Sequence, residues 1–156
     1  MFGFKKKQTE LQAFAIGKVI PLVDVADDVF SAKMMGDGFA IQPTSGQIIA
    51  PCEAIVTNIF PTKHAISLQT KQHAEILLHF GLDTVELEGL PFEIHVNEGD
   101  TISLGQELAQ IDLALIQEKG KQTDLIFVIP DKMQYKELTI DYGSFEKGQK
   151  IGMIKY

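Results

Sequence analysis

The chain contains no arginine and no tryptophan, and all of its 14 basic residues are lysines. With 21 acidic residues it carries a formal net charge of −7 at neutral pH. Nucleic-acid binders rely on clustered Lys and Arg, because arginine makes bidentate contacts to phosphates and bases. The missing arginine and the negative charge therefore exclude a nucleic-acid partner, and the negative charge indicates either a basic partner or simple solubility.

Cysteine is nearly absent, since Cys52 is the single one in 156 residues. It cannot form an internal disulfide, as is typical of a reducing compartment, and its apolar surroundings indicate a buried side chain. Long apolar runs are missing too. None reaches the ~18 residues of a membrane span, and no apolar segment follows the basic stretch from Lys5 to Lys7 as in a secretion signal. We therefore expect a cytoplasmic protein.

Short apolar runs separated by Gly, Pro, Asn or Asp make up most of the chain, a spacing typical of all-β proteins. It predicts one domain over 14–156, a β-sandwich or partly open barrel, after a loose N-terminal arm over 1–13. Short helices are expected at 31–35, before Gly36, and at 113–119, between an Asp112 N-cap and Gly120. The predicted strands are 14–22, 47–50, 54–59, 65–68, 75–80, 92–96, 107–111, 125–129 and 151–154.

Two histidines, His64 and His79, lie in two strand-like runs separated by a polar break at 70–73. In a hairpin with a two- or four-residue loop they face each other across the ladder, with Cβ atoms roughly 5 Å apart. Thr62 shares the strand face of His64 and is positioned to orient it, while Gly81 leaves open space beside His79. Paired imidazoles suit metal binding, or nucleophilic catalysis in which one His takes a group and the other donates an N–H to it.

Nucleotide-binding loops are missing from the sequence. It has neither a Gly-x-x-x-x-Gly-Lys-Ser/Thr loop nor a Gly-x-Gly-x-x-Gly turn after a strand, and the short segment 36–38 reads as a φ-permissive turn. A phosphoryl group on His79 would therefore have to arrive on another protein.

The segment His79-Phe-Gly-Leu-Asp-Thr-Val-Glu-Leu87 resembles the active-site signature of the glucose-family IIA components of the bacterial sugar phosphotransferase system. The resemblance runs from about residue 17 to the end, with further matching motifs at 24–30, 36–43, 49–51, 62–65, 98–100 and 105–106. It implies a flattened antiparallel β-sandwich whose histidine accepts a phosphoryl group from the phosphocarrier protein HPr. The group then passes to a cysteine of the IIB domain of a sugar permease.

The matched motifs also imply individual roles. His79 would be phosphorylated on Nε2, His64 would donate a hydrogen bond to the phosphoryl group, and Thr62 would orient His64. Partner-binding roles are implied for four residues around the pocket, namely Asp27, Asp83, Phe30 and Phe60.

Two other classes of protein stay open. A zinc hydrolase of similar sandwich design would use His79 and Asp83 as ligands, but the His-x-His pair of such enzymes is missing. A lipoyl or biotinyl carrier would present a lysine on a tight hairpin, and none precedes Gly99 at the expected turn. The phosphocarrier requires no cofactor, although His64 and His79 are expected to be able to share a Zn²⁺ that a partner completes. His73 is expected to be an exposed residue of the hairpin loop.

Overall fold

The computed structural model describes residues 7–156, most of which form short β-strands. In this part of the chain the strands are β1 Gln8–Gln12, β2 Gly17–Pro21, β3 Asp37–Pro43, β4 Gln47–Ile49, β5 Ala54–Ile59, β6 Ala65–Thr70, β7 Glu75–Phe80, β8 Phe92–Ile94, β9 Thr101–Ile102, β10 Glu107–Ile111, β11 Leu125–Ile129, β12 Glu137–Ile140, β13 Gly143–Phe145 and β14 Lys150–Lys155. They are interrupted by helices α1 Asp28–Ser31 and α2 Leu113–Glu118, and by 3₁₀ segments at Leu22–Asp24, Thr84–Leu87 and Lys132–Gln134.

An eight-stranded sheet dominates the architecture, with the strand order β13-β2-β3-β11-β7-β6-β5-β9. Two three-stranded sheets, β1-β14-β12 and β4-β10-β8, contribute to the same apolar core as one face of the large sheet. Every strand pairing is antiparallel. The predicted antiparallel β-sandwich with short helical segments is confirmed.

The middle strands of the large sheet are buried on both faces. Along β11, Phe127 points into the main core, whereas its neighbours Ile126 and Val128 point into a second, smaller apolar cluster on the opposite face. Because successive side chains of a strand alternate between faces, β7 does the same, and Leu77 joins the second cluster. His79 lies two residues further along and therefore emerges on the face of this second cluster.

The predicted helix at 113–119 is confirmed as α2. The Asp112 side chain caps it by accepting the Leu115 N–H, and Gly120 follows with φ of +76°. The predicted helix at 31–35 is wrong, because the helical turn is α1 and begins after Asp27. The Asp27 carboxylate accepts backbone N–H groups of the first turn, a cap that fixes where a helix begins.

The predicted loose arm over 1–13 is wrong for its second half. Strand β1 pairs with β14, and Leu11 and Ala13 are fully buried in the main core. Its partner strand is about 140 residues away in the sequence, so no local pattern indicates the pairing. Residues 1–6, which include Lys5 and Lys6, lie outside the described part of the chain.

Several strands were not expected from the sequence. Strand β3 is buried on both faces and so lacks the alternation of a half-exposed strand, while β9, β12 and β13 are short. The long expected strand at 14–22 is formed only as β2. Within residues 7–156 no helix has the length and apolarity needed to span a membrane.

Candidate functional site

The hairpin of β6 and β7 brings the two histidine segments together in a register that differs from the expected one. Ala65, and not His64, lies directly opposite His79. The loop has three residues, closed by the Thr70 N–H donating to the Ala74 carbonyl, and its last residue, His73, adopts φ of +68°. A three-residue loop ending in a left-handed residue shifts the pairing by one position relative to an even-numbered loop. The predicted facing of His64 and His79 across the ladder is therefore wrong.

The two imidazoles nevertheless meet, with ring centroids 5.0 Å apart and ring planes at 78°. His64 lies just before β6, and the preceding residue, Lys63, has a left-handed φ of +58°. The side chain of His64 is thus free of the strand alternation that would send it to the face opposite Ala65 and His79. Its carbonyl accepts the Phe80 N–H at 2.7 Å, which fixes the backbone of His64 beside the end of β7.

One ring nitrogen of His79 is bound to the backbone. Its Nδ1 lies 2.7 Å from the Gly81 carbonyl oxygen. A carbonyl oxygen only accepts hydrogen bonds, so Nδ1 carries the proton. Burial lowers the pKa of His79 from 6.5 to about 4, outweighing the Gly81 hydrogen bond, which raises it. At neutral pH the ring is therefore uncharged, and its Nε2 keeps an unprotonated lone pair.

His64 is buried, with 8% of its surface exposed, and burial lowers its pKa below 6.5. Its Nδ1 lies 2.5 Å from the Thr62 hydroxyl oxygen. If that hydroxyl donates to Nδ1, the remaining proton of the neutral ring lies on Nε2 and is available to an acceptor. The turn at 60–63, closed by the Lys63 N–H donating to the Phe60 carbonyl, holds Thr62 beside His64.

Each histidine contacts a phenylalanine. The Phe30 ring centroid lies 5.0 Å from that of His79, and the Phe60 ring centroid lies 5.4 Å from that of His64, both in edge arrangements. Phe30 is buried in the second apolar cluster, and Phe60 packs against it. These rings supply part of the burial that keeps both imidazoles uncharged.

Two acidic residues flank His79. Asp27 and Asp83 act on His79 through their negative charge, and both raise its pKa against the larger effect of burial. One oxygen of the Asp27 carboxylate already accepts the Val29 and Phe30 N–H groups, so Asp27 also holds Phe30 in place. Asp83 is exposed and has a left-handed φ of +58° at the start of the 3₁₀ segment Thr84–Leu87.

The structure thus brings together all seven residues expected at the site, and it adds one atom that the sequence did not indicate. Gly81 was expected only to leave open space, but its carbonyl oxygen is the hydrogen-bond acceptor of His79. No side-chain pattern could have revealed this atom, because every residue type carries a backbone carbonyl.

In the described part of the chain, the side chains do not form a complete set of metal ligands. Among residues 7–156 no group of three His, Cys, Asp or Glu side chains is arranged to hold a metal ion. Within the chain, the His pair supplies two ligands of the four usual for Zn²⁺, so sharing a Zn²⁺ with a partner stays a prediction. Cys52 is buried, and burial raises its pKa to about 12, which leaves it an unreactive thiol.

Comparison with known proteins gives consistent results. Residues 9–135 match the family model described as phosphoenolpyruvate-dependent sugar phosphotransferase system, EIIA 1. The PTS system glucose-specific EIIA component of Oceanobacillus iheyensis is 40% identical over 140 residues, covering 86% of this chain and 85% of that protein. The glucose permease IIA from Mycoplasma capricolum superimposes with a TM-score of 0.85 at 36% identity, covering 98% of this chain and 99% of that one.

Longer relatives contain the same region. The PTS system glucose-specific EIICBA component of Staphylococcus carnosus is 43% identical over 139 residues, which are 89% of this chain but 21% of that protein. The chain therefore spans about a fifth of the length of such relatives.

Proposed function

The chain belongs to the EIIA 1 family of the phosphoenolpyruvate-dependent sugar phosphotransferase system, and on this premise we propose that it is a phosphohistidine carrier. His79 accepts a phosphoryl group from HPr and passes it to a cysteine of a sugar-permease IIB domain. The observation that carries the proposal is the hydrogen bond from His79 Nδ1 to the Gly81 carbonyl oxygen, which places the proton of the neutral ring on Nδ1 and leaves Nε2 unprotonated.

The first transfer forms one bond and breaks another. The lone pair of His79 Nε2 attacks the phosphorus of phosphorylated HPr, and the bond between phosphorus and the donor nitrogen breaks with its electron pair returning to that nitrogen. His79 needs no general base, because Nε2 carries no proton to be removed. In the second transfer a cysteine thiolate of the IIB domain attacks the same phosphorus, and His79 Nε2 leaves with its lone pair.

His64 stabilises the charge of the phosphoryl group. With Nδ1 accepting from Thr62, its Nε2–H donates to a phosphoryl oxygen, and the neighbouring position of the two rings supports this role. Thr62 orients the His64 ring and selects its tautomer. Because His64 is neutral and not a fixed cation, it stabilises the phosphoryl group without trapping it, as a carrier requires.

Phe30 and Phe60 keep water away from the phosphohistidine, which water would otherwise hydrolyse. Their edge contacts with the two histidines support this role. Exposed apolar side chains lie next to site residues in the sequence, namely Val29 (43% exposed) beside Phe30 and Val85 (48% exposed) two residues after Asp83. A partner that covers them would exclude water from the site while the phosphoryl group crosses.

Asp27 and Asp83 bind the partner protein and not the phosphoryl group, since carboxylates repel a phosphoryl group. We expect an arginine of HPr to dock between them, neutralising the charge of the rim during transfer. The relatives named EIICBA components support a IIB domain as acceptor. Neither a resident cofactor nor a metal enters these steps, and the cytoplasmic location expected from the sequence belongs to the same proposal.

The proposal is tested by incubating the protein with enzyme I, HPr and phosphoenolpyruvate and measuring its intact mass. One acid-labile phosphoryl group is expected on the wild type and none on His79→Gln. His73→Asn is the matched control, because His73 is exposed in the hairpin loop and asparagine tolerates its left-handed backbone. Undiminished labelling of His79→Gln would refute the assignment. A lipoyl or biotinyl adduct on protein purified from its host would support the carrier alternative instead.

A further inference from the structure

Thr84 is a fully buried polar residue next to the site that has no part in the steps above. Its hydroxyl donates to the Phe80 carbonyl oxygen at 2.5 Å. Its methyl carbon, Cγ2, lies only 2.5 Å from the position that a Cβ on Gly81 would occupy, so it packs closely against the Gly81 backbone. Both ends of this short side chain thus hold the turn that follows His79.

Two consecutive peptide groups in that turn are bound at both of their polar atoms. In the group between Phe80 and Gly81, the carbonyl accepts from Thr84 and the N–H donates to the Asp124 carbonyl at 2.9 Å. In the next group, the Gly81 carbonyl accepts from His79 Nδ1 and the Leu82 N–H donates to the Gln122 carbonyl at 3.1 Å.

Two of these four hydrogen bonds join backbone atoms only, and a third is made by the ring of His79. Thr84 supplies the only other side chain among these four contacts, and through it a side chain fixes the orientation of the peptide group between Phe80 and Gly81. Because Gly81, at φ of +82°, has no side chain that restricts its backbone, loss of the Thr84 contact leaves the following peptide group free to reorient as well. The Gly81 carbonyl would then no longer be held towards Nδ1.

We propose that Thr84 is a positioning residue for His79: by holding the Phe80–Gly81 peptide it aims the Gly81 carbonyl at Nδ1 and so selects the tautomer with a free Nε2. The inference rests on the proposed role of His79 as phosphoryl acceptor. Groups that orient a reactive ring through its second nitrogen commonly change rate by about 10- to 100-fold when removed.

The test compares three substitutions by two readouts. Thr84→Val keeps the size and loses the hydroxyl, whereas Thr84→Ser and Thr84→Ala both lose the methyl and differ from each other only in the hydroxyl. The first readout is the tautomer of the His79 ring, measured by ¹⁵N NMR near neutral pH without any phosphoryl donor. The second is the rate of phosphorylation by HPr.

Thr84→Val and Thr84→Ala should populate the Nε2–H tautomer and lose about 10- to 100-fold in rate, and Thr84→Ser should restore most of both. Thr70→Val is the matched control. Thr70 is also buried in a hydrogen-bonded turn, where its hydroxyl accepts from the Ala74 N–H and from the Tyr156 hydroxyl, but it lies at the other end of the hairpin. Its substitution should lower stability and leave the His79 tautomer unchanged.

The outcomes separate this inference from the proposed function. Folded Thr84→Val and Thr84→Ala proteins with the wild-type tautomer and rate would overturn the inference. If Thr84→Val does not fold, equal tautomers and rates in Thr84→Ser and Thr84→Ala would overturn it as well. A wild-type protein that is never phosphorylated at His79 would instead overturn the proposed function, while the tautomer comparison would still decide what Thr84 does.

Discussion

Burial should keep His79 uncharged at a pH where an ordinary histidine is charged. Its pKa is lowered from 6.5 to about 4. At a pH of about 5.5 a histidine with the ordinary pKa is only about 10% neutral, whereas one with a pKa of about 4 is about 97% neutral. At this pH we therefore expect His79 to be neutral, with its Nε2 lone pair available, roughly ten times more often than a histidine with the ordinary pKa.

The same shift makes stability depend on pH. His79 of the unfolded chain binds a proton near pH 6.5, whereas His79 of the folded protein binds one only near pH 4. The contribution of neutral His79 to the free energy of unfolding is therefore fully present above pH 6.5 and is lost as the pH falls towards 4. The loss reaches about 3 kcal/mol at a pH of about 4. Burial lowers the pKa of His64 too, in the same direction, so the difference between the wild type and His79→Gln isolates His79.

The assay has two parts. An NMR titration of the imidazole Hε1 signals, assigned with His79→Gln, should give a midpoint near 4 for His79. Urea unfolding should then show a smaller loss of stability on acidification in His79→Gln than in the wild type. Phe30→Ala removes a ring whose centroid lies 5.0 Å from that of His79 and should move the midpoint towards 6.5, while Phe30→Leu should move it less. A wild-type midpoint at 6 or above would refute the reasoning.

Two further predictions concern the site, and a third concerns Cys52. His64→Ala should still be labelled at His79 but lose about 10²–10³ in rate in at least one direction of transfer, and phosphate on His64 in the wild type would reverse the two roles. Asp27→Asn with Asp83→Asn should slow transfer from HPr and flatten its salt dependence, because asparagine keeps the helix cap and the left-handed backbone but removes the charges. If the salt dependence of the transfer rate were unchanged, the two carboxylates would have no part in docking HPr. Asp27→Ala should in addition lower the free energy of unfolding by about 1 kcal/mol, because it removes the helix cap. The Cys52 thiol should react with a disulfide reagent only when the protein unfolds, since burial raises its pKa to about 12, and rapid reaction of the folded protein would contradict this.

The sequence indicated the site residues well and their geometry less well. The motif from His79 to Leu87 and the Thr62–His64 pair identified side chains that the structure does bring together. The expected register was wrong because the hairpin loop has an odd number of residues. The sequence indicates this loop only weakly, because its left-handed position is occupied by His73. A glycine or asparagine there would have predicted the turn.

The N-terminal pairing shows a different limit. Strand β1 looked like a loose arm because Leu11 is the single apolar residue among its five, and its partner strand is at the other end of the chain. Strand pairing over such a distance depends on the assembled core and not on neighbouring residues. Local periodicity therefore predicted the central strands and failed at this edge.

The sequence by itself determined the family, the all-β class and the kinds of chemistry available, because these depend on which side chains are present and in what order. Only the tertiary structure decided the charge state and the tautomer of the His79 ring at neutral pH. Its charge state follows from burial beside Phe30, and its tautomer follows from the Gly81 carbonyl, which Thr84 and the backbone around Gln122 and Asp124 hold in place. Burial and backbone orientation arise from contacts between distant segments, so no reading of side-chain order contains them.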